Sequence, residues 1–207
     1  VGDATLHAAG GEIVLGSKTA DATVAYTNEL ISDGGTLTAG APGASGVTVN
    51  LPNGMTLNSG ALNLRTDNGN ALNVSGSITG AGSVDIGAGA SVTLAGGGPY
   101  AFGGVTVTGG TFTTDNALNF DKLDVLDGAF VQTGLAASGQ RDLTIASSLT
   151  INSNLDMTVA ALNVSTAAVK INNTLLTVAS PLAAATMDVS ADGSLALGGE
   201  TLTVSNS

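Results

Sequence analysis

The chain has 207 residues, 43% of them apolar and only 10% charged, and its 16 acidic and 5 basic side chains leave a net charge of −11. That balance argues against a nucleic-acid binder, which needs a basic face for phosphates, and against attraction to an anionic membrane surface. The apolar content argues against disorder, and with no Cys there are no disulfides or Cys-based zinc sites.

Residues 1–35 read differently from the rest. Asp3, Glu12, Asp21, Glu29 and Asp33 are spread through them with His7, and Ala22, Tyr26 and Leu30 fall at i, i+4 and i+8, the spacing of one short helix. This segment is the candidate cap or assembly segment, and residues 36–207 are the candidate body of a single domain. Val1 begins without Met, a basic start or an apolar stretch, so the expectation is a processed mature form or a piece of something longer. No apolar run reaches the ~18 residues of a membrane-spanning helix.

From residue 36 onward, short segments with two inward apolar residues follow one another. Leu37, Val47/Val49, Met55/Leu57, Leu62/Leu64, Leu72/Val74, Val84/Ile86 and Val92/Leu94 come first. Val105/Val107, Leu118/Phe120, Leu123/Val125 and Leu143/Ile145 continue the pattern, and Met187/Val189, Leu195/Leu197 and Leu202/Val204 close it. Thr, Asn and Ser fill the alternate positions, and Asp-Gly or Asn-Gly pairs mark turns at residues 33–34, 53–54, 68–69, 127–128 and 192–193. Gly96–Tyr100 reads as a loop and Ser180–Ala185 as an insertion or single helical turn.

Ser148–Leu155 aligns with Ala168–Leu175 at one constant offset, apolar on apolar and Asn152 on Asn172. A period of roughly 20 residues, built from three short two-sided segments, predicts an all-β parallel solenoid of stacked coils, with Ile151 and Ile171 in adjacent coils. Eight to ten coils about 4.8 Å apart would make a rod about 40–50 Å long.

Ser77-Ile78-Thr79-Gly80-Ala81-Gly82, followed by Ala90-Ser91-Val92-Thr93-Leu94-Ala95-Gly96 and by Gly103-Gly104-Val105-Thr106-Val107-Thr108-Gly109-Gly110-Thr111-Phe112, resembles the repeats of bacterial autotransporter passengers. The match covers residues 77–112. It departs from the family pattern at Gly98-Pro99-Tyr100, where Asn-Thr-Tyr is usual, and at Phe112, where Leu is usual. Filamentous adhesins and surface-layer proteins carry similar text. The resemblance implies a right-handed parallel β-helix exported to the bacterial surface.

Chemistry is sparse. Lys18, Arg65, Lys122, Arg141 and Lys170 are scattered, and Trp is absent, so the cations and aromatic platforms of a polysaccharide-acting β-helix enzyme are missing from the pattern. Asp115, Asp121, Asp124 and Asp127 form the densest acidic group. The parity change between Phe120 and Leu123 places a corner at Asp121-Lys122, with Asp124 on the outer face and Asp127 in a turn. Calcium suits such oxygen ligands, but no calcium-loop motif accompanies them, and a solvated acidic edge is the plainer reading. His7 is the sole histidine, which excludes an internal His-based triad or multi-histidine metal site. Phe102, Phe112, Phe120 and Phe130 read as core filler. No catalytic, cofactor-binding or metal-ligating residue is assigned.

The leading expectation is a non-enzymatic extracellular structural protein that associates head to tail in a filament or surface layer. The alternatives are a monomeric adhesin or passenger segment binding host or glycan surfaces, and a glycan-acting β-helix enzyme.

Overall fold

A computed structural model describes residues 5–16, 22–40, 43–59, 64–66, 68–96, 98–115, 118–132, 142–152, 157–159, 161–178, 180–190 and 192–205. Among these residues there are strands and turns and no helix. Leu62 and Leu155, and the basic residues Lys18 and Arg141, lie outside them.

The chain winds through three faces and returns to the first. Leu6–Ala8, Leu30–Asp33, Met55–Ser59 and Ile78–Gly80 open the first face. Glu12–Leu15, Thr36–Ala39, Leu64–Thr66 and Ser83–Ile86 open the second. Thr23–Ala25, Thr48–Leu51, Ala71–Val74 and Ser91–Leu94 open the third. From Tyr100 the corners tighten, and Tyr100–Thr114 and Leu118–Gln132 each run through all three faces as one strand. Asp142–Asn152, Ala161–Asn172 and Leu182–Ser190 carry the first two faces onward. Met157–Val159, Leu175–Val178 and Ser194–Ala196 form a separate three-stranded sheet.

The result is a parallel β-solenoid of about eight turns. Register pairs Leu149 with Val169, Thr150 with Lys170 and Ile151 with Ile171, so apolar stacks on apolar and polar on polar. The length of a turn is not fixed. Tyr100 returns to its own column at Leu118, whereas Leu30 must travel further along the chain to reach its partner Met55.

Strand parity makes the core. One inward column runs Val107, Val125, Ile151, Ile171, with exposures of 0, 2, 0 and 0%. Each such side chain contributes roughly 1.5–3 kcal/mol by leaving water. The four phenylalanines fill the same interior: Phe102 and Phe120 have ring centroids 4.6 Å apart, and Phe112 and Phe130 lie 5.4 Å apart.

Corners are closed by polar groups that satisfy backbone the ladders cannot reach. Buried Asn70 accepts from the Val47 N–H at 3.1 Å and donates to the Ala44 carbonyl at 3.2 Å. The buried Tyr100 hydroxyl donates to the Val74 carbonyl at 3.1 Å, and burial, with the nearby Asp115 carboxylate, raises its pKa above 10.0. Gly80, at φ +118°, is required by close approach, because a Cβ there would lie 2.0 Å from the Leu57 carbonyl oxygen.

Three expectations change. Ala22, Tyr26 and Leu30 do not share a helix: Thr23–Ala25 and Leu30–Asp33 are strands on different faces. The tyrosine sits between them, its hydroxyl accepting from the Gly16 N–H at 2.8 Å. Residues 180–185 hold no helical turn, since Leu182–Ser190 is a strand paired with Ala161–Asn172. Nor do the described residues of 1–35 form a structurally distinct cap. Leu6–Ala8, Glu12–Leu15 and Thr23–Ala25 are an ordinary coil, each strand in parallel register with the next coil.

Candidate assembly surfaces

Charge is concentrated by register where the sequence scatters it. On the second face the outward column runs Val14, Thr38, the position of Arg65, Asp85, Thr106, Asp124, Thr150, Lys170, Asp188 along the solenoid axis. Lys122 lies two residues before Asp124 on the same strand, and its Nζ is 2.6 Å from the Asp124 Oδ2. Asp124 is only 7% exposed, held under Lys122 and between Thr106 and Thr150. A carboxylate so desolvated needs its charge matched, and Lys122 matches it. From Asp85 to Asp188 the strip's described side chains are two cations, Lys122 and Lys170, and three anions, Asp85, Asp124 and Asp188, while the whole chain carries −11. This stretch of the face is nearly balanced on a strongly acidic protein.

The acidic group of residues 115–127 is dispersed by the winding. Asp115 follows the third face, Asp121 stands at the corner between the first and second, Asp124 lies on the second, and Asp127 is exposed where the second gives way to the third. Asp121 accepts a hydrogen bond from the Ser147 hydroxyl of the next coil. Among the described residues no three His, Cys, Asp or Glu side chains converge as a metal site. The placement of Asp121 at a corner and Asp124 on the face agrees with the parity argument, but Asp124 is not solvated as a bare edge would be. His7 is exposed, with its Nε2 3.9 Å from the Asp33 carboxylate on the neighbouring coil.

The rungs at either end of the described stack pair on one side only. Leu6–Ala8, Glu12–Leu15 and Thr23–Ala25 pair forward, and Leu202–Val204 and Ser194–Ala196 pair backward. Inward positions there are uncovered. Val189, Leu202 and Val204 are 43, 41 and 45% exposed, whereas their partners one coil earlier, Ile171, Leu182 and Ala184, are 0–1% exposed. The opposite end is more closed: Leu6 and Ile13 are half-buried, while Ala8 and Leu15 are 1 and 0% exposed.

An open cleft of about 450 Å³ lies along the corner between the first and second faces, lined by Ala81, Ala101, Gly103, Asn119 and Asp121. The exposed Asn side chains form a partial ladder offset by one residue from the register. Asn173 donates to Asn152 at 3.0 Å, while Asn172 accepts from the Ser190 hydroxyl.

A scan against known protein families, a search of curated proteins and a search of solved structures each gave no match to this chain.

Proposed function

We propose that this chain is a non-enzymatic extracellular structural protein whose β-solenoid extends end to end, the last coil of one copy receiving the first coil of another. The observation that carries this reading is the uncovered last rung, together with the one-sided pairing of the first. Each face at one end offers inward apolar residues that continue a column at the other. Leu6 and Ala8 would follow Leu202 and Val204; Ile13 and Leu15 would follow Met187 and Val189; Val24 would follow Leu195. Main-chain groups on an open parallel edge favour such addition, and a contact between two different surfaces of one chain is open-ended, giving fibres rather than closed rings. The resemblance of residues 77–112 to autotransporter passengers supports display outside a bacterial cell.

The test is light scattering on the unmodified chain and on L202K/V204K. The unmodified chain is expected to grow with concentration into open-ended polymers larger than a dimer, and the variant, whose two new ammonium groups sit on the receiving rung, to form no such polymers, with its β circular dichroism intact. A chain that stays monomeric over a wide concentration range overturns this reading. In its place would stand the monomeric adhesin segment, which the corner cleft lined by Asn119 and Asp121 favours and binding to a glycan array would test.

A further inference from the structure

We propose that the second face is a self-complementary interface through which two copies pack side by side and antiparallel, about a two-fold axis that runs along the strand direction at the level of Asp124. The order of residues in the outward column carries the proposal. Counting coils outward from Asp124, Thr106 and Thr150 stand one away on either side, Asp85 and Lys170 two away, and Arg65 and Asp188 three away. A two-fold at Asp124 exchanges the members of each pair. It sets Asp85 against Lys170 of the second copy, the position of Arg65 against Asp188, and Thr106 against Thr150. Asp85 and Lys170 thus each face their opposite, twice over. At the axis Lys122 meets Lys122 and Asp124 meets Asp124 of the second copy, and these like contacts are offset by the ion pair between Lys122 and Asp124 within each copy.

No neighbouring arrangement does this. Parallel packing in register puts Asp85 on Asp85 and Lys170 on Lys170. An antiparallel shift by one coil brings the position of Arg65 against Lys170 in one direction, and Asp85 against Asp188 in the other. Like-charge juxtaposition disfavours each of them, so the column specifies one register and one orientation. The occupant is a second copy because the strip is nearly balanced and complementary to itself while the chain carries −11. Elsewhere two copies repel; here they meet nearly balanced and complementary.

The patch is small. Seven rungs about 4.8 Å apart and four residues wide present roughly 400 Å² per copy, about half of a standard interface. The dimer is therefore weak, in fast exchange and sensitive to salt. It does not use the solenoid ends, so L202K/V204K leaves it in place and separates its failure from failure of the end-to-end reading.

The test uses sedimentation equilibrium on the L202K/V204K background with two charge variants. D85K and K170D should each associate at least roughly tenfold more weakly with themselves than the parent does, because each sets like charges across the axis twice. Mixed one to one, they should restore association, since each then supplies the charge the other lacks. Association should also fall as salt rises from about 0.01 to 1 M, where the screening length drops from about 30 to 3 Å. Geometry is read separately by cross-linking, which the absence of native Cys makes clean. A bis-maleimide spanning about 10 Å, the face-to-face sheet distance, should join T106C to T150C in a mixture in preference to joining either to itself. The proposal is overturned if the parent stays monomeric at low salt, if D85K self-associates as tightly as the parent, or if T106C links to itself as readily as to T150C.

Discussion

Ile171 and Val189 occupy one inward column in successive coils, the first 0% and the second 43% exposed. Truncating both to alanine measures what the open end costs the fold. Ile171→Ala removes three carbons from a closed interior. At about 0.8 kcal/mol per buried methylene that is ~2.4 kcal/mol, and the unfilled cavity raises it to about 3–4 kcal/mol. Val189→Ala removes two carbons that are little more than half buried, and water can enter behind them, so the loss is about 1 kcal/mol. For a chain of this length 1 kcal/mol shifts Tm by about 2–4 °C. The expected drops are thus roughly 6–16 °C for Ile171→Ala and about 2–4 °C for Val189→Ala. Differential scanning calorimetry at low protein concentration, where end contacts are absent, reads both. Equal shifts would refute the argument, since they would mean that the last coil is as closed as those within the stack.

Gly80→Ala should cost about 2–3 kcal/mol or more, because the new Cβ would collide with the Leu57 carbonyl at a backbone angle that disfavours any side chain; urea denaturation measures it. Tyr100→Phe should lower stability by about 1 kcal/mol through loss of the bond to the Val74 carbonyl. In the unmodified chain the Tyr100 pKa is raised on folding, so its neutral form is favoured in the native state. That stabilisation is complete below the unfolded value of 10.0 and fades as pH climbs through the folded one. Ultraviolet titration should therefore resolve one tyrosine ionising above 10.0, and a single step near that value for both tyrosines would contradict the burial.

The solenoid was legible because its inward residues alternate with Thr and Asn over a recurring interval, and the match of residues 148–152 with 168–172 is a true register pairing. The false helix at Ala22, Tyr26 and Leu30 has a physical origin: residues on consecutive strands either side of a corner can mimic a helical spacing. The charge column was hidden for a related reason. Arg65, Asp85, Thr106, Asp124, Thr150, Lys170 and Asp188 follow one another at unequal intervals along the chain, because corners absorb different lengths of it while the faces do not. Any fixed period therefore drifts off the column within a few coils. The same drift made Asp115, Asp121, Asp124 and Asp127 look like one cluster, when less than one turn of the winding carries them to different sides.

Stacking in register also has a kinetic meaning. Each coil bonds only to the coils before and after it, so strands in contact are separated by a single turn of the winding, as Tyr100 is from Leu118 and Leu30 from Met55. One turn is about a tenth of the chain, a relative contact order of roughly 0.1, which is usual for helical bundles and low for an all-β chain. Loop closure for each new coil is thus short and nearly constant, and the entropy cost is met one coil at a time. A chain delivered one end first, from a ribosome or through a pore, can add each coil to a finished template as it arrives. Folding of this kind moves along the chain as a front, and every completed coil resists being drawn back.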